Sequence, residues 1–109
     1  MTAKRAADVH VVAFACEAGM GSSLIGANQL KKRLKELGLN VRVVHSPVNE
    51  IPADTDVVIA HEGLAERARR VAPAAVVLTF QSFMNNTAAD RLLRSLKSGE
   101  DLVADAAQR

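Results

Sequence analysis

The chain has 109 residues, enough for one domain, and its 49% apolar and 24% charged residues are ordinary for a globular protein. The net charge of +2 is mild, and basic and acidic residues are interspersed along the predicted helices, which does not suit a nucleic-acid-binding surface. The single cysteine excludes an internal disulfide and a multi-cysteine metal site and suits a reducing compartment. Since no apolar run approaches the ~20 residues of a membrane span, we expect a soluble protein.

The first half of the chain predicts two strands and one helix. The apolar run "VHVVAFA" at 9–15 is rich in β-branched residues and short enough to be a strand. A helix is predicted from Ser22 to Leu37, because Gly38 is a typical stop signal. The run at 40–45 alternates polar and apolar residues, which favours an edge strand, and the two prolines in 46–55 predict a loop or a single turn. The buried face of the first helix is predicted to carry Ala27, Leu30, Leu34 and Leu37, and the solvated face Gln29, Lys32 and Glu36.

The second half predicts two more strands and two more helices. The run "DVVIAH" at 56–61 is nearly all apolar, as is typical of a strand buried on both faces of a parallel sheet. A helix is predicted from Gly63 to Val71 and ends before Pro73. The fourth strand is predicted at 74–80 and the third helix from Asn85 to Leu96.

Strands and helices alternate with short connections, which predicts an α/β fold with a parallel sheet and helices on both faces. The folded domain is predicted at residues 9–97, between a flexible N-terminus at 1–8 and a flexible tail or linker at 98–109. Ligand chemistry in such folds gathers at the carboxyl ends of the strands, where the strand order reverses. Cys16 directly follows the first strand, so we expect it in that crevice.

The segment "ACEAGMGSS" at 15–23 joins the first strand to the first helix. A glycine-rich turn before a helix presents backbone N–H groups and the positive end of the helix dipole to one point, and such a turn binds anions. Gly19 and Gly21 permit a close backbone approach, and Ser22 and Ser23 add hydroxyl donors at the helix start. The same field favours the thiolate, which is the nucleophilic form of cysteine, and a thiolate there could carry a phosphoryl group. Glu17 opposes this by adding negative charge unless its side chain points away.

Several alternatives compete with a phosphoryl-carrying thiol. Cys16 could be only a small buried hydrophobe in a strand, although "EAGMGSS" continues a strand poorly. The loop lacks the third glycine of a dinucleotide-binding motif, since position 24 is Leu, and it lacks the lysine of a P-loop. A low-molecular-weight cysteine phosphatase would need an arginine where this chain has Ser22, and a general acid as well. A thiol that accepts phosphate without the groups that drive hydrolysis is a carrier.

Three stretches, "ACEAGMGSSLIGANQL", "DVVIAHEGLAERARRVAP" and "VVLTFQSFMNN", resemble the cytoplasmic B domain of mannitol-type enzyme II of the bacterial phosphoenolpyruvate-dependent sugar phosphotransferase system. The similarity covers roughly residues 9–97. It implies a Rossmann-like fold with a four-stranded parallel sheet in the order 2-1-3-4. It also implies that Cys16 is the phosphorylated residue. The phosphate cradle that it implies consists of Glu17, Ala18, Gly19, Met20, Gly21, Ser22 and Ser23.

The resemblance further implies two partners. An A component donates the phosphoryl group from a phosphohistidine, and a membrane-embedded C component holds the sugar alcohol that receives it, with mannitol inferred from the resemblance alone. The protein would then work in the cytoplasm at the inner face of the membrane, with no cofactor, metal or nucleic acid. Two alternatives remain open, a related module that reads phosphorylation as a regulatory signal and a cysteine phosphatase. The chain could be a separate subunit or a domain of a longer permease.

Two further hypotheses concern groups near the thiol. His61 ends the predicted third strand and could help to polarise the phosphate, or could only pack at the start of the following helix. Met20 and Ile25 are apolar, lie close to Cys16 in the sequence, and are predicted to form the contact surface for the A component.

Overall fold

The structure, a computed structural model, describes residues 3–17, 22–81, 87–100 and 102–103, with side chains for 5–17, 24–81, 88–100 and 102. The strands are β1 (Ala3–Lys4), β2 (Val11–Cys16), β3 (Arg42–Pro47), β4 (Val57–His61), β5 (Val76–Phe80) and β6 (Leu102–Val103), and the α-helices are α1 (Ser22–Glu36), α2 (Ala65–Val71) and α3 (Thr87–Ser98). Short 3-10 helices occupy Ala6–Asp8, Val48–Glu50 and Glu62–Leu64.

Four of the strands form one parallel sheet in the order β3-β2-β4-β5. Counting only these four in chain order gives 2-1-3-4, so the predicted α/β fold and the strand order implied by the resemblance are both confirmed. Val12 fixes the register at the centre, because it pairs with Val43 on one side and with Val57 on the other. The polar-apolar alternation of β3 correctly predicted an edge strand.

Alternate residues of β2 face opposite layers of helices. Val12 and Phe14 belong to a core shared with α1 and α3, whereas Ala13 and Ala15 belong to a core shared with α2. The first core is filled by Phe and Leu side chains and the second largely by Ala and Val. Both faces of the sheet are therefore covered, which explains why its central strands are continuously apolar.

Asp56 fixes the start of the central strand. Its carboxylate accepts hydrogen bonds from the backbone N–H groups of His10 and Val11, with N···O distances of 2.8 and 2.9 Å. Its own backbone N–H donates to the Val11 carbonyl at 2.9 Å, and its carbonyl accepts from the N–H of Val76 at 3.0 Å. One residue thus aligns the starts of three strands, and their register determines which residues meet at the opposite edge.

The helix boundaries differ from the prediction at several ends. The helix α1 stops at Glu36 and Gly38 has a φ of +71°, the left-handed conformation expected of a C-terminal glycine. Leu37 was predicted to lie on the buried face, but this was wrong: it follows the last helical residue and is 42% exposed. The second helix was predicted from Gly63, whereas that residue lies in a 3-10 turn before α2 begins.

The other connections are close to the prediction. The turn predicted within 46–55 is the 3-10 helix Val48–Glu50. The helix α3 runs two residues beyond its predicted end at Leu96, to Ser98, and its predicted first residue, Asn85, lies outside the described residues.

The two ends of the described chain pair with each other. Ala3–Lys4 lies antiparallel to Leu102–Val103, and the Leu102 side chain is 3% exposed and packs in the core with α3. Regular structure therefore extends beyond the predicted domain of 9–97 on both sides. The flexibility of 1–8 and 98–109 stays a prediction.

Candidate functional site

Cys16 is the last residue of the central strand β2. It lies opposite Pro47 of β3 and is 8% exposed. The sequence placed it just after the strand, so the structure moves it one position, to the strand's carboxyl end. Its burial fits the alternative of a small packed hydrophobe as well, so exposure alone does not identify its role. Its position is more informative.

Cys16 lies where the strand order reverses. From β2 the chain passes through α1 to the edge strand β3, and from β4 it passes through α2 to β5 on the other side. The two helices cover opposite faces of the sheet, so the carboxyl ends of β2 and β4 lie at the topological switch point, where ligands bind in folds of this kind. Cys16 ends one of these strands and His61 the other, and α1 begins six residues after the thiol, as the sequence predicted.

The predicted phosphate cradle is described only at its two ends. Glu17 is exposed at its start, and Ser22 and Ser23 are the first two residues of α1. Ala18, Gly19, Met20 and Gly21, together with the side chains of the two serines, lie outside the described residues. The anion-binding role of this loop therefore stays a prediction.

Glu17 is bound to a residue that the sequence did not point to. Its Oε1 accepts a hydrogen bond from Nη2 of Arg67, in the first turn of α2, at 2.6 Å. Successive residues of a strand point to opposite faces of the sheet. Because Ala13 and Ala15 face α2, the same alternation places Glu17 on the α2 face and Cys16 on the α1 face. The carboxylate therefore points away from the thiol. This is the condition under which the negative charge of Glu17 does not oppose the thiolate. The sequence could have predicted this contact, because α2 follows β4 and β4 is the neighbour of β2. The first turn of α2 must therefore lie near the loop that follows β2.

His61 has a structural role in the described contacts. Its Nδ1 accepts a hydrogen bond from the backbone N–H of Gly63 at 3.1 Å and caps the 3-10 helix Glu62–Leu64. Its ring meets Phe80 edge-on, with centroids 5.9 Å apart and an interplanar angle of 87°. These contacts match the packing alternative, and a role toward phosphate stays a prediction.

The predicted docking residues lie at the start of α1. Ile25 is 62% exposed, and its neighbour Leu24 is 43% exposed, which leaves an apolar surface next to the loop. The face predicted to be solvated is exposed in the structure, at Gln29, Lys32 and Glu36. Met20 lies outside the described residues, so the docking surface stays a prediction.

No helix in the described ranges is both long enough and apolar enough to cross a bilayer. Over the same ranges, no three His, Cys, Asp or Glu residues form a group that could hold a metal ion.

Comparison with known families gives one decisive match. The family model described as "PTS system, Lactose/Cellobiose specific IIB subunit" matches residues 11–95. The chain belongs to the PTS IIB family. The match runs from the first residue of β2 to the last turn of α3, so it includes Cys16, the loop and both strands that end at the switch point.

Curated relatives of this IIB chain have names that specify a sugar alcohol. The chain is 40% identical over 91 residues to the "PTS system mannitol-specific EIICB component" of Geobacillus stearothermophilus, covering 84% of this chain and 19% of that protein. It is 37% identical over 102 residues to the mannitol-specific EIICBA component of Vibrio cholerae, covering 94% of this chain and 16% of that protein. It is 36% identical over 107 residues to the mannitol-specific EIICBA component of Pasteurella multocida, covering 98% of this chain and 17% of that protein. The IIB chain thus spans less than a fifth of the length of these relatives.

Proposed function

We propose that the protein is the phosphocysteine carrier of a mannitol-type sugar phosphotransferase system, and that Cys16 is the residue that carries the phosphoryl group. One observation supports this most directly. In a chain of the PTS IIB family, its only thiol ends the central strand at the point where the strand order reverses and where a helix N-terminus follows. A carrier needs a nucleophile at an anion-binding edge that two partners can reach in turn.

The transfer consists of two in-line substitutions at phosphorus. In the first, the Cys16 thiolate attacks the phosphorus of a phosphohistidine on the A component. The S–P bond forms as the P–N bond breaks, and the bonding pair returns to the imidazole nitrogen. In the second, a hydroxyl oxygen of the sugar alcohol attacks the same phosphorus. The S–P bond breaks, its electron pair restores the thiolate, and the hydroxyl proton passes to a base on the C component.

The chain's own contribution is to position and stabilise the group. Backbone N–H groups of the loop and the N-terminus of α1 would donate to the phosphoryl oxygens and offset their charge. The loop lacks the arginine that a low-molecular-weight cysteine phosphatase would need, and Arg67 is bound to Glu17.

The sugar and the partners are proposed from the relatives. Their names specify mannitol, and the letters C and A name components joined to B in the same chain. We therefore propose a phosphohistidine A component as donor, a membrane-embedded C component as acceptor, and a location at the cytoplasmic face of the membrane. Docking of the A component would use the exposed apolar start of α1 at Leu24 and Ile25, with Met20 in the adjoining loop.

Intact-mass measurement tests the carrier function. The protein is incubated with the phosphorylated A component of a mannitol system, and one phosphoryl adduct is expected, mapping to Cys16. The Cys16→Ser variant should fold normally and remain unmodified, since the hydroxyl does not replace the thiolate as the acceptor. An adduct that persists in this variant, or that maps to a histidine, contradicts the proposal. Turnover of an aryl phosphate by the protein alone would instead favour a phosphatase.

A further inference from the structure

The residue beside the proposed phosphorylation site carries a charge that the site must tolerate. Glu17 directly follows Cys16, and a phosphorylated side chain brings about −1.5 to −2 charges at neutral pH. Like charges on adjacent residues oppose the charged state of each. The described residues contain a counter-charge for this carboxylate, Arg67, with a guanidinium nitrogen 2.6 Å from its oxygen.

The geometry of the pair separates the carboxylate from the thiol. Glu17 lies on the α2 face, where Arg67 holds it, whereas the strand alternation directs Cys16 to the α1 face. Both side chains of the pair are exposed, 42% for Arg67 and 59% for Glu17, so solvent screens part of their mutual attraction. The carboxylate next to Arg67 in the first turn of α2, Glu66, is 78% exposed and has a cation of its own, Arg70, at 3.9 Å.

We propose that Arg67 is a positioning residue that neutralises Glu17 and holds it on the α2 face, so that Cys16 can accept a doubly charged phosphoryl group. The proposal rests on the proposed function of Cys16. Arg67 acts through Glu17 rather than by contact with the phosphoryl oxygens. Without Arg67, the carboxylate would be uncompensated and able to turn toward the loop. The phosphorylated state would then become less stable and the approach of any anion to the thiol slower.

The equilibrium between the phosphorylated A component and this protein measures the effect. Arg67→Gln should lower the ratio of phosphorylated to unphosphorylated protein severalfold, the size expected of one charge at an exposed site. Glu17→Gln in the Arg67→Gln background should restore the ratio to near the wild-type value, because the charge that needed neutralising is gone. Glu66→Gln is the matched control on the same helix turn and should leave the ratio unchanged.

A second measurement needs no partner protein. Cys16 is the only cysteine, so its alkylation by anionic iodoacetate and by neutral iodoacetamide can be compared directly. The ratio of the two rates cancels changes in the thiolate fraction and in accessibility. Arg67→Gln should lower the iodoacetate-to-iodoacetamide ratio severalfold, and the additional Glu17→Gln change should restore it. A merely structural role for Arg67 would leave this ratio unchanged.

The outcomes separate the two hypotheses. If the wild-type protein is phosphorylated at Cys16 but Arg67→Gln changes neither ratio, the role of Arg67 is refuted and the carrier function stands. If the double variant is as defective as Arg67→Gln alone, Arg67 contacts the phosphoryl group directly and the neutralising role is wrong. If the wild-type protein is not phosphorylated at Cys16, the carrier function fails, and the alkylation ratios alone decide whether the pair screens the thiol.

Discussion

Gly26 allows the helix that follows the thiol loop to lie close to the sheet. A Cβ atom placed at Gly26 would lie 2.7 Å from Cε1 and 2.8 Å from Cε2 of the Phe14 ring, and closer still to its Cζ. The ring cannot withdraw, because Phe14 is 1% exposed and packs against Phe80 with centroids 5.7 Å apart. We therefore expect Gly26→Ala to displace α1 from β2.

The magnitude follows from two opposing effects. Overpacking a filled core costs about 1–3 kcal/mol, and overlap with three atoms of a rigid ring places this substitution at the upper end of that range. Alanine stabilises a helix by about 1 kcal/mol relative to glycine. The net loss in the free energy of unfolding should be about 2 kcal/mol. For a domain of this size that lowers the Tm by roughly 8 °C.

Urea unfolding followed by circular dichroism measures this loss. Asn28→Ala is the matched control, since it lies two residues further along α1 on the exposed face and gains helix propensity without a clash. In a Phe14→Leu background, Gly26→Ala should cost much less, because the smaller side chain leaves room for the methyl group. If Gly26→Ala is as stable as the wild type, the close approach of α1 to Phe14 is wrong. Because α1 begins beside the loop, the variant should also accept phosphate from the A component more slowly.

Two further predictions concern docking and strand alignment. Ile25→Lys should weaken transfer from the A component by about 1–2 kcal/mol, a typical cost for a contact residue, without lowering the Tm; Leu37→Lys, an exposed apolar position at the other end of α1, is the control. Amide shifts in a titration with the A component should fall within residues 17–29, and shifts confined to α2 and α3 would place the docking surface elsewhere. Asp56→Ala should lower the free energy of unfolding by about 2–3 kcal/mol, because two backbone N–H groups lose a charged acceptor. Urea unfolding checks this, and a loss below about 0.5 kcal/mol would mean that the strand start does not depend on this carboxylate.

The sequence predicted the fold because its local signals agree with one another. Runs of Val and Ile separated by glycine and proline mark every strand of the sheet, and the apolar period of α1 marks its buried face. Leu37 was misplaced because periodicity continues in the sequence after the helix has ended at Glu36. The pairing of β1 with β6 was missed because two-residue strands are too short to show a period.

The site was predictable only where it is local in sequence. Cys16 and the start of α1 follow directly from the strand-to-helix pattern. The ion pair between Glu17 and Arg67 joins residues fifty positions apart, so it depends on the sheet order rather than on any motif. The orientation of Glu17, which decides whether its charge opposes the thiolate, could not be predicted either, because it depends on the position of α2.

The pairing of the two chain ends has a consequence for how such a domain can be tethered. Ala3–Lys4 and Leu102–Val103 lie side by side, and they connect to the start of β2 and to the end of α3, both at the edge of the sheet opposite Cys16. The length of β2 separates that edge from the thiol by roughly 16 Å. The chain that continues beyond Ala3 and beyond Val103 therefore starts from two neighbouring points on the side of the sheet away from Cys16. A domain tethered at such neighbouring points keeps its tethers away from the edge that carries the thiol, and the linker length would then set how often each neighbour is met.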